Sequence, residues 1–254
     1  MTPNELRDFL NEKVERYNRP DFISSDPIQI PHQFSQKEDI EIAGFLAATI
    51  AWGNRKMIIK SAQSLIERMG NAPYDFVMTH RESHLEPLDG FVHRTFNATD
   101  VKTFIRGLRH VYTQHGGMEA LFEKHHTSHS MQPAISAFKK HFFEIAHEER
   151  TQKHISDPLN NSAAKRINMF LRWMVRQDKK GVDLGLWKNI PMAALSCPLD
   201  VHSGNVARKL GLLSRKQNDA KALVELDTAL RALDPYDPVK YDFALFGLGV
   251  FEQF

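Results

Sequence analysis

Apolar residues in this chain return at intervals of three and four, and almost nowhere at intervals of two. That is the spacing of helices that bury one face, and it leaves little from which to build a sheet. From Gln36 to Ala51, Ile40, Ala43, Gly44, Ala47 and Ala48 share a face, behind Ser35 and Glu38 at capping-box spacing. A second helix is predicted over Arg55–Met69, ended by Gly70-Asn71. The segment "TDVKTFIRGLRHVYTQHGG" starts at a good N-cap, Thr99, and stops at Gly116-Gly117. Further helices are expected over Ala134–His147, Ala163–Arg176, Val201–Leu212 and Asp219–Leu233. A last, buried one follows Asp237-Pro238, with Tyr241, Ala244, Leu245 and Leu248 on its apolar face. The expected class is all-α.

A chain of 254 residues holds one large domain or two small, closely packed ones. The polar stretches "EKHHTSHS" and "HEERTQKHISDPLNNS" are where a helical array would fold back. The expected organisation is therefore a single helical domain of two lobes, about 36–150 and 1–35 with 151–254, with a cleft between them. No stretch approaches the roughly 18 apolar residues of a membrane span, so no membrane partner is expected. The N-terminus is charged and helix-like, without the apolar run of a signal peptide. Cys197 is the single cysteine, which excludes an intrachain disulfide and a cysteine-bound zinc or iron–sulfur site. A cytoplasmic location is the default expectation.

The net charge of +2 is unevenly distributed. From Lys165 to Lys216 there are eleven Lys or Arg against three Asp, so the rest of the chain is acidic. A basic third on an acidic chain points to an acidic partner such as nucleic acid, or simply to a solvated helical surface.

Within that basic third lies "NNSAAKRINMFLRWMVRQDKK". Ile167, Phe170, Leu171 and Met174 have the spacing of a buried face, while Lys165, Met169, Arg172 and Arg176 fall on the other side. Lys165 is placed about three residues into the helix if Ser162 is the N-cap. A helix N-terminus and the neighbouring Arg166 make this an awkward place for an ammonium. The uncharged amine is the form that attacks a carbon centre. A plain solvent-exposed lysine is the alternative.

Residues 197–209, "CPLDVHSGNVARK", raise a second question. Pro198 breaks what precedes, and Asp200 stands where a helix begins. Asp is among the best N-caps, so capping alone accounts for it locally.

A basic helix opening at a lysine, followed by "P-L-D-V-H" at the start of the next long helix, resembles the helix-hairpin-helix DNA glycosylase superfamily. The gap of 35 residues from Lys165 to Asp200 looks most like the archaeal 8-oxoguanine DNA glycosylases. The block from "KRINMFLRWMVR" to "DPVKYDFALFGLGV" also resembles an uncharacterised bacterial protein family related to them. The glycosylase likeness proper covers about Ser162–Leu213, with a vaguer match at "EIAGFLAATIAWGNRK". Two departures stand out. The hairpin L-P-G-x-G is replaced by "DPLNNS", and the cluster-binding cysteines of the endonuclease III branch are missing, so no iron–sulfur cluster and no other cofactor is expected.

The resemblance implies a base-excision repair glycosylase and AP lyase acting on double-stranded DNA that contains a damaged base, 8-oxoguanine by likeness. Lys165 would be the Schiff-base nucleophile and Asp200 its electrostatic partner. Trp52, Asn54 and Arg55 in "AWGNRK", and Trp173, would wall the base pocket or wedge the duplex, with Trp187 a further option; core packing is the alternative for each tryptophan. Arg172, Arg176, Lys179, Lys180, Arg208 and Lys209 would hold phosphates, joined by His202 and Ser203 at a helix N-terminus. The competing reading is a catalytically silent DNA-binding protein of the same fold. A metal-dependent hydrolase is disfavoured: the histidines of "HHTSH" (His125, His126 and His129) lie in a polar loop, and no H-E-x-x-H motif occurs, so no metal site is expected.

Overall fold

The computed structural model describes residues 1–254. Its helices in chain order are α1 (Pro3–Tyr17), α2 (Lys37–Thr49), α3 (Arg55–Arg68), α4 (Pro73–Thr79), α5 (Ala98–Gln114) and α6 (Met118–His125). There follow α7 (Gln132–Phe142), α8 (Lys165–Val175), α9 (Val201–Lys209), α10 (Ala220–Leu233) and α11 (Tyr241–Phe251), with short 3-10 turns in the connections. The two strands, β1 (Val92–His93) and β2 (Phe96–Asn97), pair antiparallel with Val92 opposite Asn97. The protein is all-α apart from this small hairpin. No helix is long and apolar enough to cross a membrane.

Stop signals act where the residues place them. Gly70 and Asn71 both take positive φ after α3, and Gly116 and Gly117 do so after α5. Two start signals are replaced by others. The Ser35–Glu38 box does not form, because α2 begins at Lys37 behind Gln36, which makes no side-chain cap. Asn97, not Thr99, caps α5: its side chain accepts from the Thr99 and Asp100 amides while Asp100 accepts from the Asn97 amide.

Two apolar cores form. The larger unites 50 buried residues, running from Ile28 to Phe243 and including the aromatic cluster of Phe45, Phe104, Phe138 and Phe142. The smaller unites 17 residues from α1, α9, α10 and α11, with Ala163, Cys197 and Leu199. α11 serves both: Phe243 faces the larger core, while Tyr241, Ala244, Leu245 and Leu248 face the smaller. The cores do not follow the expected division of the chain: α8, through Ile167, Phe170, Trp173 and Met174, belongs to the larger core, and so do Ile28, Ile30 and residues between Val182 and Leu195.

α8 is also buried on more sides than its spacing predicts, from Ile167 through Val175. Its stripe of Arg172 and Arg176, expected to face phosphate, is enclosed by acids from later in the chain. Arg172 donates to Asp183 Oδ1 at 3.1 Å and to Asp242; Arg176 reaches Asp183 at 3.0 Å, Asp178 at 2.8 Å and Asp237 at 2.9 Å.

One glycine sets the spacing of two helices. A Cβ on Gly247 would overlap the Tyr17 ring, so α11 and α1 meet backbone to ring there. That ring is not free to move: it stacks on Phe251 at 5.6 Å, and its hydroxyl donates to Glu252. Gly247→Ala is expected to lower stability by about 1–3 kcal/mol, the usual cost of overpacking. A urea midpoint equal to that of the wild type would mean that the Tyr17 ring yields without strain.

Candidate active site

An open cleft of about 1480 Å³ lies on the seam between the two cores. Ile58 and Phe243 line it from the larger core, and Ala163 and Leu199 from the smaller. Lys165 and Asp200 meet in it, Lys165 Nζ standing 3.7 Å from Asp200 Oδ2. Their side chains are 32% and 23% exposed, so both are open to a ligand yet held by their surroundings.

The backbone leading to Lys165 is unusual. Asn161 (φ 60°) and Ala164 (φ 46°) both take the left-handed conformation, and Lys165 is the first residue of α8, not the third. Ser162 accepts from the Ala164 amide at 3.1 Å but is not the N-cap; Ala164 is. Asn tolerates this region, but for Ala164 it costs about 1–2 kcal/mol, and such strain gathers at functional sites. The turn is held in place from outside. The Asn161 carbonyl accepts from Ala220 at 3.2 Å, and the Asn161 amide group donates to Asp219 at 3.3 Å. The segment "DPLNNS" thus makes a tight turn without glycine, docked on the start of α10.

Asp200 divides its two oxygens between two tasks. Oδ1 accepts from the Ser203 amide at 3.0 Å, while Ser203 Oγ accepts from the Asp200 amide at 2.9 Å, completing a capping box on α9. The Asp200 carbonyl takes a further bond from Asn218 at 2.8 Å. Oδ2 is left facing Lys165. Capping and chemistry are compatible here because each uses a different oxygen.

Arg166, next to the lysine, is committed elsewhere. It donates to the carbonyls of Thr49 and His154 and lies 4.7 Å over the Trp52 ring. Burial brings its guanidinium down to about 10. Trp52 is half-buried at the cleft wall, edge-on to His93 at 5.2 Å. Asn54 caps α3 by accepting from the Met57 amide at 3.3 Å, and Arg55 lies over Phe246 at 4.9 Å; both line the cleft. His202 lines it too, exposed on the first turn of α9.

Several other residues expected at the site are buried, committed to other partners, or outside the cleft lining. Trp173 is fully buried in the larger core because α8 is covered on that side, so it forms no pocket wall. Trp187 is buried as well, its indole donating to Glu41 at 2.7 Å. Arg172 lines the cleft but, like Arg176, is neutralised internally by the acids already described. Ser203 is 1% exposed and used up in the capping box. Arg208 is held by the Arg215 carbonyl at 2.8 Å and by Asn218 at 2.6 Å. Lys179 and Lys180 lie outside the cleft lining, Lys180 pairing with Glu15 at 2.5 Å. Lys209 is exposed, also outside it, 5.8 Å from the Phe254 ring. The cationic surface is therefore much smaller than the count of arginines and lysines implies.

Two carboxylates enter the cleft that the spacing arguments missed. Asp242 is buried in the first turn of α11; burial pushes its carboxyl up to about 6, against the pull of Arg172, and it feels the charges of Asp200 and Lys165. Asp26 is also buried in the lining and accepts from the Ile28 amide at 3.1 Å; burial raises its carboxyl, while Arg172, Arg55 and Lys165 oppose the rise. Asp242 had one signal in the sequence: a carboxylate heading the apolar run "FALFGLGVF" needs a buried partner.

The fold and site define an all-helical, two-cored protein whose seam holds a lysine and an aspartate in contact, backed by buried carboxylates. The family model described as "Protein of unknown function (DUF2400)" matches residues 26–251, and the chain belongs to that family. No curated protein and no solved structure matches it.

Proposed function

We propose that the protein is a helix-hairpin-helix DNA glycosylase with lyase activity, acting on duplex DNA that carries a damaged base, with 8-oxoguanine the first substrate to test. The observation that carries this reading is the Lys165–Asp200 pair, 3.7 Å apart in the cleft, with Asp200 Oδ1 tied down and Oδ2 presented to the amine. A base inside a duplex is out of reach, so the damaged nucleotide has to be flipped into the cleft. Trp52 supplies an aromatic wall there, Arg55 and Lys56 the positive rim for the backbone, and His202 a further hydrogen-bonding group at the edge.

As the glycosidic bond stretches, positive charge develops on the sugar, and the Asp200 carboxylate stabilises it. The Lys165 ammonium first gives up a proton, for which Asp200 Oδ2 is within reach; Asp242 lines the same cleft, its carboxyl pushed up to about 6 by burial, and can take that proton onward. The amine attacks C1′ while the C1′–N bond breaks, and the base leaves with the bonding pair and takes up a proton. Loss of a second proton from nitrogen and opening of the sugar, whose ring oxygen is protonated, leave an imine. Removal of a C2′ proton then expels the 3′ phosphate.

Borohydride trapping tests this directly. The protein is incubated with duplexes carrying an abasic site or 8-oxoguanine in the presence of the reductant. A covalent protein–DNA adduct is expected on the abasic duplex, and on the 8-oxoguanine duplex if that base is excised. Binding to both duplexes with neither adduct nor excision would remove the glycosylase reading for these lesions and favour a silent DNA-binding protein.

A further inference from the structure

Outside the cleft lining, the ends of α5 and α7 bring together histidines that the sequence keeps apart. His110 Nε2 lies 3.0 Å and His115 Nε2 3.2 Å from Glu144 Oε2, and one donor atom from each of the three lies within 4.8 Å of the others. His141 Nδ1 holds the other oxygen, Oε1, at 2.8 Å. The rings of His115 and His141 are 4.5 Å apart, and His125 follows at 5.6 Å from His141, with its Nε2 buried and without a hydrogen-bond partner.

We infer that His110, His115 and Glu144 form a binding site for a divalent transition-metal ion of the zinc class. Two imidazoles and one carboxylate are a donor set that zinc takes with a fourth position open, whereas calcium and magnesium call for oxygen donors throughout. Zinc bonds of about 2.0–2.1 Å place tetrahedral donors about 3.4 Å apart. The two imidazole-to-carboxylate separations already approach that, and side chains between 20% and 39% exposed can make the remaining adjustment. His115 caps the C-terminus of α5, and His141 sits in the last turn of α7, with Glu144 just beyond. The partial negative charge of both helix ends favours a cation at this point. His141 bonds the carboxylate oxygen that the other two histidines leave, and so fixes the orientation of that ligand. The spacing 110, 115 and 144 follows no local motif, which is why the histidine-rich loop at 125–129 drew attention in the sequence instead.

The test uses untagged, chelator-treated full-length protein titrated with Zn²⁺ by calorimetry and with Co²⁺ by visible absorption. Binding of one ion per chain at micromolar affinity or tighter is expected, with a rise in melting temperature at saturating Zn²⁺. His115→Ala and Glu144→Gln should each weaken binding at least about tenfold and remove the thermal shift, and His141→Ala should weaken it by about 10–100-fold. The double variant His126→Ala/His129→Ala, altered in the adjacent loop, should bind as the wild type does. Absence of binding by wild type, affinity unchanged in His115→Ala and Glu144→Gln, or loss confined to the loop variant would each overturn the assignment. Since all these side chains are partly exposed, melting curves without metal establish that each variant is folded.

Discussion

Lys165→Ala will yield no trapped adduct on the abasic duplex, while Asp200→Asn will slow excision by about 10²–10³-fold, the size of effect that follows removal of one preorganised electrostatic group. The two variants separate the roles. Without Lys165 no amine is left at that position to form the imine, so the covalent signal vanishes outright. Asn at 200 can still cap α9, because Asn and Asp are comparable N-caps, and its side-chain oxygen can accept from the Ser203 amide as Oδ1 does now. Only the charge facing Lys165 is lost. The partly exposed Lys165–Asp200 pair contributes no more than about 1 kcal/mol to folding, so Asp200→Asn should melt within a few degrees of the wild type. Trapping that persists in Lys165→Ala would move the nucleophile elsewhere. Excision unaffected in Asp200→Asn would reduce Asp200 to a helix cap.

The second large effect is on stability. Arg172→Ala leaves Asp183 without one partner and Asp242 without its cation, both buried. Removing one member of a buried ionic network costs about 3–5 kcal/mol, a large part of the roughly 5–15 kcal/mol that holds a domain together. The loss should depend on pH. The folded-state pKa of Asp242, up at about 6, stands above the unfolded value near 3.9, so the stability linked to its proton is fully present below about pH 4 and is lost as pH rises through about 6. Arg172 pulls that carboxyl down, and its removal raises it further. The difference between wild type and Arg172→Ala, read from urea unfolding, should therefore be larger at pH 8 than at pH 5. Adding Asp242→Asn to Arg172→Ala should recover part of the deficit at pH 8, because it removes the uncompensated charge. No recovery, together with a deficit independent of pH, would mean that lost packing of the arginine side chain against Phe243, and not the unpaired carboxylates, dominates.

This network also explains why the basic third is a poor guide to the binding surface. Arg172 and Arg176 read as a solvent-facing stripe because helical periodicity reports only what lies on one face. The acids that cover that stripe, Asp183, Asp237 and Asp242, come from up to 70 residues further along. A lysine count cannot distinguish a phosphate clamp from the inside of a salt-bridged seam.

The sequence by itself determined the helical class, the position of most helices and the start of α9 at Asp200, because periodicity, glycine stops and capping residues act within a few positions of one another. It also marked Lys165 and Asp200 as the pair to examine. What only the tertiary structure decided is which surfaces remain open. It buried Trp173, Arg172 and Arg176, turned Arg166 toward the Thr49 and His154 carbonyls, and left Lys165 to face Asp200. It brought Asp242 into the same cleft, and it gathered His110, His115 and Glu144 at the meeting of two helix ends. Contacts of this kind join residues tens of positions apart, and their geometry comes from how the two cores pack rather than from any local pattern.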